Sequence, residues 1–157
     1  MSRLARAMAR IDDANSQDPN IVVGPAGPIA KELLYSQRMT RWLTELEPAA
    51  SESLQLACRA SHIRRWESAR SDFPAGKAGY KQWRSQLLVH HAHVTLAILA
   101  ELGDPAEQQE RVAAIIQKRG RSQDAEVQTL EDVICLVFLE HYWAEFAAKH
   151  DEYKMAS

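Results

Sequence analysis

The chain has 157 residues, of which 46% are apolar and 25% charged, and its formal net charge is -2. That length and balance fit one globular domain able to bury its own core without staples. They exclude global disorder and a protein-wide basic field for nucleic acid.

Helical spacing accounts for nearly the whole chain, and no alternating run competes for a strand. Residues 2–15 form a first helix, capped by Ser2, with Leu4, Met8 and Ile11 on one face. Asp18-Pro19-Asn20 stops it, and residues 21–27 read as a loop. Pro28 suits a first helical position and opens a second helix to about residue 46, with Leu34, Met39, Trp42 and Leu43 along its stripe. A third helix covers residues 51–67 and carries Leu54, Ala57, Cys58, Ser61 and His62 on one face. Residues 68–79 are irregular, punctuated by Pro74, Gly76 and Gly79. A fourth helix, residues 80–102, ends at Gly103. A fifth covers residues 105–118, with Val112, Ile115 and Ile116 inward and Gly120 ending it. The sixth runs over residues 124–149. Its middle, residues 130–139, is apolar nearly all round, which puts it at the centre under its neighbours. The tail from Asp151 is expected to fray. The expected fold is therefore all-α: a single compact bundle of about six helices, with residues 1–17 as an N-terminal helix on a core of residues 28–149.

Cys58 and Cys135 lie in apolar helical patterns and read as reduced core thiols. No stretch approaches the ~20 apolar residues of a membrane span. Residues 1–10 lack the apolar run of a secretory signal. A cytoplasmic protein without a membrane partner is expected.

Three polar residues fall on apolar stripes. His62 follows Leu54 and Cys58 at four-residue steps, and His91 shares a stripe with Leu87, Val94 and Ile98. Each is either a core histidine bonded to a carbonyl or a ligand, because both ring nitrogens need partners. Asp132, beside Glu131, shares a face with Leu136, Leu139 and Trp143. It is either an acid near a helix start, complementing the dipole, or a costly inward carboxylate that needs a partner. Two inward imidazoles and a carboxylate are a ligand set for a divalent metal, Mn, Fe, Zn or Mg. The segment after His62 is rich in cations and aromatics: Arg64, Arg65, Arg70, Lys77, Tyr80, Trp83 and Arg84. It reads either as a solvated basic face or as a clamp for phosphate oxygens.

Residues 57–63, Lys31 to Ser36, His91 to Gly103 and Leu130 to Val133 resemble the successive motifs of the HD-domain phosphohydrolase superfamily. Tyr35 stands where that pattern has its first metal histidine, and Ile63 where it has the aspartate of the doublet. The whole chain resembles, more specifically, the family catalogued as domain of unknown function 4202. The likeness is carried by residues 62–66, by Gly79-Tyr80 with Trp83-Arg84, and by residues 128–139. The HD likeness implies a metal-dependent phosphohydrolase acting on a nucleotide or small phosphate ester. His62, His91 and Asp132 would hold the metal, and Asp132, Glu131 and Tyr35 would serve catalysis. Arg65, Arg70, Lys77, Tyr80 and Arg84 would bind the substrate. The alternative is a degenerate module that binds a phosphorylated ligand, an RNA or a protein partner without turnover, although the acidic balance disfavours nucleic acid. The oligomeric state is not legible in the sequence.

Overall fold

A computed structural model describes residues 1–156, with side chains through Lys149; the tail from Asp151, expected to fray, lies outside the described side chains. The described residues form seven α-helices and one two-stranded hairpin. Helix α1 (Arg3–Asn15) starts as expected, with Ser2 Oγ accepting the Ala5 amide at 3.0 Å. The expected loop is instead a hairpin of β1 (Ile21–Gly24) and β2 (Gly27–Ala30), paired antiparallel with Val22 opposite Ile29. Two four-residue strands are too short to show alternation against Gly and Pro at the turn. Pro28 belongs to β2, opposite the exposed Val23, where a missing amide does little harm. It does not open the second helix.

Helix α2 (Lys31–Leu46) is instead started from outside by Asp18, whose Oδ2 accepts the Glu32 amide at 3.0 Å while Oδ1 accepts the Asn20 amide at 2.9 Å. One buried side chain thus closes the base of the hairpin and caps the helix that follows. Helix α3 (Glu52–Arg59) is half the expected length. The chain leaves it through Arg64, which has a left-handed φ of 51°, into a single 3-10 turn at Arg65–Glu67. Asn15 Oδ1 accepts the Arg64 amide at 3.2 Å, and His90 Nε2 lies 3.2 Å from the Arg64 carbonyl. His62 therefore sits on a turn and not on a helix.

Helix α4 (Lys77–Glu101) and α5 (Ala106–Ile116) fall close to expectation. Gly103, with φ 76°, ends α4, and the Asp104 amide reaches back to the Leu99 carbonyl. Lys118 (φ 58°), not Gly120, takes the corresponding left-handed position after α5. The expected sixth helix is two, α6 (Ala125–His141) and α7 (Trp143–Ala156), divided at Tyr142. Helix α6 is not covered on all sides. Val127, Leu130, Val133 and Val137 are buried, while Cys135 and Leu139 are exposed, so only Cys58 is a core thiol. The core surrounds α3, which packs on α1, α2, α5 and α6. Fully buried Leu56, Ile63 and Ile115 contribute on the order of 1.5–3 kcal/mol each. No helix among the described residues is long and apolar enough to cross a membrane.

The residues 68–79 segment is tied down from beneath. Arg70 donates to the carbonyls of Phe73, Pro74 and Gly76, and the Trp83 indole donates to Ser68 O at 2.9 Å. Gly79, in the first turn of α4, lies directly under the Pro74 backbone. A Cβ there would come within 1.7 Å of the Pro74 carbonyl oxygen. Gly79→Ala should therefore destabilise the protein by about 1–3 kcal/mol, despite alanine's better helix propensity. Urea unfolding measures it, and an unchanged or raised midpoint would mean the loop yields freely.

Candidate functional site

A cleft of about 370 Å³ opens between α2, the residues 60–67 turn, α4, α5 and α6. Its polar end is built on Glu32. The Asp18 cap fixes the first turn of α2, and Glu32 and Tyr35, three residues apart, then face the same way. Glu32 is only 4% exposed, and its Oε1 lies 3.1 Å from His62 Nδ1. A carboxylate can only accept, so His62 donates through Nδ1–H and its Nε2 carries the lone pair. Tyr35 stacks flat on the imidazole, with centroids 3.7 Å apart and planes 7° from parallel. His62 Nε2 makes no hydrogen bond with a described residue, and the ring lines the cleft.

His91 lies behind His62, with centroids 6.1 Å apart. Its Nδ1–H donates to the Ile63 carbonyl at 2.8 Å, so the residue that replaces the expected aspartate holds the second histidine through its backbone. Burial, helped by the neighbouring His62, pushes the His91 imidazole down to about 3. Burial also lowers His62, against the raising effect of Glu32. Burial raises the Tyr35 phenol above its usual range, reinforced by Glu32, so it stays protonated.

Arg65 and Arg84, two of the residues expected to bind a substrate, line the cleft together with Lys31 and Lys118. Lys118 is paired with Glu131 at 2.7 Å. Lys31, Arg65 and Arg84 have no carboxylate partner among the described residues. The Arg65 guanidinium sits 4.9 Å over the Trp83 ring, and its Nε is buried without a hydrogen-bond partner. The opposite wall is apolar: Leu87 and Leu88 from α4, Ile116 from α5, and Leu130, Ile134 and Phe138 from α6.

The remaining expected site residues lie elsewhere. Arg70 is spent on loop carbonyls, Lys77 is exposed outside the cleft, and Tyr80 is exposed against Trp83 and Arg70. Asp132 is exposed and accepts from Gln128 Nε2 at 2.9 Å. The reason is helical phase. Leu130, Ile134 and Phe138 face the cleft, and Asp132, two residues past Leu130, lies about 200° round the same helix. The expected convergence of His62, His91 and Asp132 does not occur. Among the described residues no group of three His, Cys, Asp or Glu is placed to hold a metal ion, so the residues present do not fit the metal that the HD likeness implies. Glu32 was missed. Its position in the first turn of a helix reads as simple dipole chemistry, although its three-residue spacing from Tyr35 was a visible signal.

His91 makes stability depend on pH with a definite sign. Its folded pKa, about 3, lies below the unfolded 6.5. The unfolded chain alone takes up the proton as pH falls below 6.5, so native stability drops on acidification. His91→Gln should reduce that slope by about 1.4 kcal/mol per pH unit between about pH 6 and 4. Urea unfolding midpoints across that range measure it; an unaltered slope would mean His91 titrates normally in the native chain.

No curated protein and no solved structure is significantly similar to this chain. A family model, described as domain of unknown function (DUF4202), matches residues 5–157. The match covers almost the whole chain, helices, cleft and both histidines included, and the chain belongs to that family.

Proposed function

We propose that the cleft binds a small phosphorylated molecule whose organic part is largely apolar. The observation that carries this reading is Arg65, a guanidinium that lines the cleft and has no carboxylate partner among the described residues. A guanidinium without a counter-charge favours an anion beside it, through charge-assisted hydrogen bonds. Arg84 and Lys31 add unpaired positive charge at the same cleft. A guanidinium fork matches phosphate oxygens better than a point charge does. Leu87, Leu88, Ile134 and Phe138 would face the rest of the ligand and offer a polyol no hydrogen bonds, so an aryl or alkyl phosphate fits better than a sugar phosphate.

The metal-dependent hydrolysis implied by the HD likeness finds less support. It needs Asp132 beside the histidines, and Asp132 is on the far side of α6. An RNA partner is also less suited: the cations converge in a concave pocket and do not form a stripe along a surface.

Calorimetric titration of the whole chain with phenyl phosphate, phenol and glucose 6-phosphate tests the reading. Phenyl phosphate should bind more tightly than either of the others. Arg65→Ala should weaken it about 10- to 100-fold, in line with the ~1.5–3 kcal/mol of a charged hydrogen bond. Asp132→Asn should leave it unchanged. Equal binding of the sugar phosphate, or indifference to Arg65→Ala, overturns the assignment.

A further inference from the structure

We propose that His62 Nε2 is a phosphoryl acceptor, so that the cleft turns its ligand over through a phosphohistidine; this rests on the phosphate-binding reading above. Four observations converge on that atom. The Glu32 carboxylate accepts a hydrogen bond from Nδ1–H, which leaves the lone pair on Nε2. The Tyr35 ring, stacked at 3.7 Å, fixes the plane of the imidazole. Nε2 has no hydrogen-bond partner among the described residues and belongs to a ring that lines the cleft. Arg65 and Arg84, the groups suited to hold a phosphate, line the same space.

His91 is the rival nucleophile in the same cleft. It is 2% exposed and its Nδ1 donates to a neutral carbonyl, the Ile63 oxygen. His62 instead has a buried carboxylate behind it, which stabilises positive charge as the ring attacks. Glu32 acts through the imidazole it hydrogen-bonds and is thus a positioning residue, while His62 would meet the reacting phosphorus.

The step balances with water as the only co-reactant. The Nε2 lone pair forms an N–P bond as the P–O bond to the organic group breaks. The departing oxygen leaves with that electron pair and takes a proton from solvent unless it is stable as an anion. Water then attacks the phosphoryl group and gives up a proton to solvent, the N–P bond breaks, and its electron pair returns to Nε2. The products are an alcohol or phenol and inorganic phosphate, and no electron is gained or lost overall. Arg65 and Arg84 would neutralise the phosphoryl oxygens through both steps.

p-Nitrophenyl phosphate is the probe, because its aryl body suits the apolar wall and its leaving group needs no proton. The whole chain, treated with a chelator, should release nitrophenolate. Rapid quenching in base should trap one added phosphoryl group per chain, stable in base and lost in acid. His62→Gln should abolish both signals. His62→Gly should be inactive but recover turnover when free imidazole is supplied, which a purely structural role for His62 would not allow. Glu32→Gln should lower the rate at least ten-fold at saturating probe with little change in half-saturation. Phenyl phosphate that binds with no nitrophenolate released overturns the inference and leaves the pocket reading standing. Turnover without an acid-labile adduct, or turnover that survives His62→Gln, also overturns it. Failure of phenyl phosphate to bind removes the pocket reading and this inference together.

Discussion

The site is organised by one partly buried hydrogen bond, that between the Glu32 carboxylate and His62 Nδ1. A carboxylate that is 4% exposed is tolerated only where partners replace its lost hydration. Its position is fixed from both sides. Asp18 holds the Glu32 amide, so the first turn of α2 cannot rotate, and the hairpin closed by the same aspartate braces that turn from outside. His62 holds the carboxylate end, and Tyr35, one turn further along α2, lies flat on the imidazole. Two residues of one helix thus set both the tautomer and the plane of a ring that belongs to a different element.

That ring is presented by a turn, and the turn has its own supports. A left-handed, non-glycine residue such as Arg64 persists where its surroundings hold it. Asn15, from the end of α1, holds the Arg64 amide, and His90, from α4, contacts its carbonyl. His91, next in sequence to His90, holds the Ile63 carbonyl. Adjacent histidines on α4 therefore clamp adjacent carbonyls of one turn. The outcome is that His62 and Arg65, three residues apart, both reach the cleft, a nitrogen lone pair and an unpaired cation delivered together.

Helix periodicity made most helices legible: Leu4, Met8 and Ile11 for α1, and the Gly103 stop for α4, stand as expected. The hairpin was hidden because its strands are four residues long and its turn reads as a loop. The early end of α3 was hidden because its apolar spacing continues through Ser61 and His62 after the backbone has left the helix. Of the residues singled out in the sequence, His62, His91, Tyr35, Arg65 and Arg84 line the cleft. Arg70 was misread because the acceptors it satisfies are backbone carbonyls, which leave no trace in residue identity. Asp132 was misread because an apolar run conceals helical phase. In a segment such as Leu130 to Leu139 every face looks buried, and only packing decides that Leu130, Ile134 and Phe138 turn to the cleft while Asp132 turns to solvent.

The phase of α6 also decides which chemistry the cleft can support. Had α6 turned by half a revolution, a carboxylate would face the two imidazoles and the site would suit a divalent cation. As packed, α6 offers hydrocarbon there; Glu32, which lines the cleft, is engaged by His62, and Glu131 by Lys118. The cleft is then lined by the unpaired cations Lys31, Arg65 and Arg84, by the His62 imidazole, whose pKa burial lowers, and by an apolar wall. In the proposed reading such a cleft would draw in an anion and present it to a lone pair, where a metal site would present it to a bound hydroxide. The carboxylate that serves the histidine comes from α2, and that of Asp132 on α6 is bonded to Gln128 at the surface.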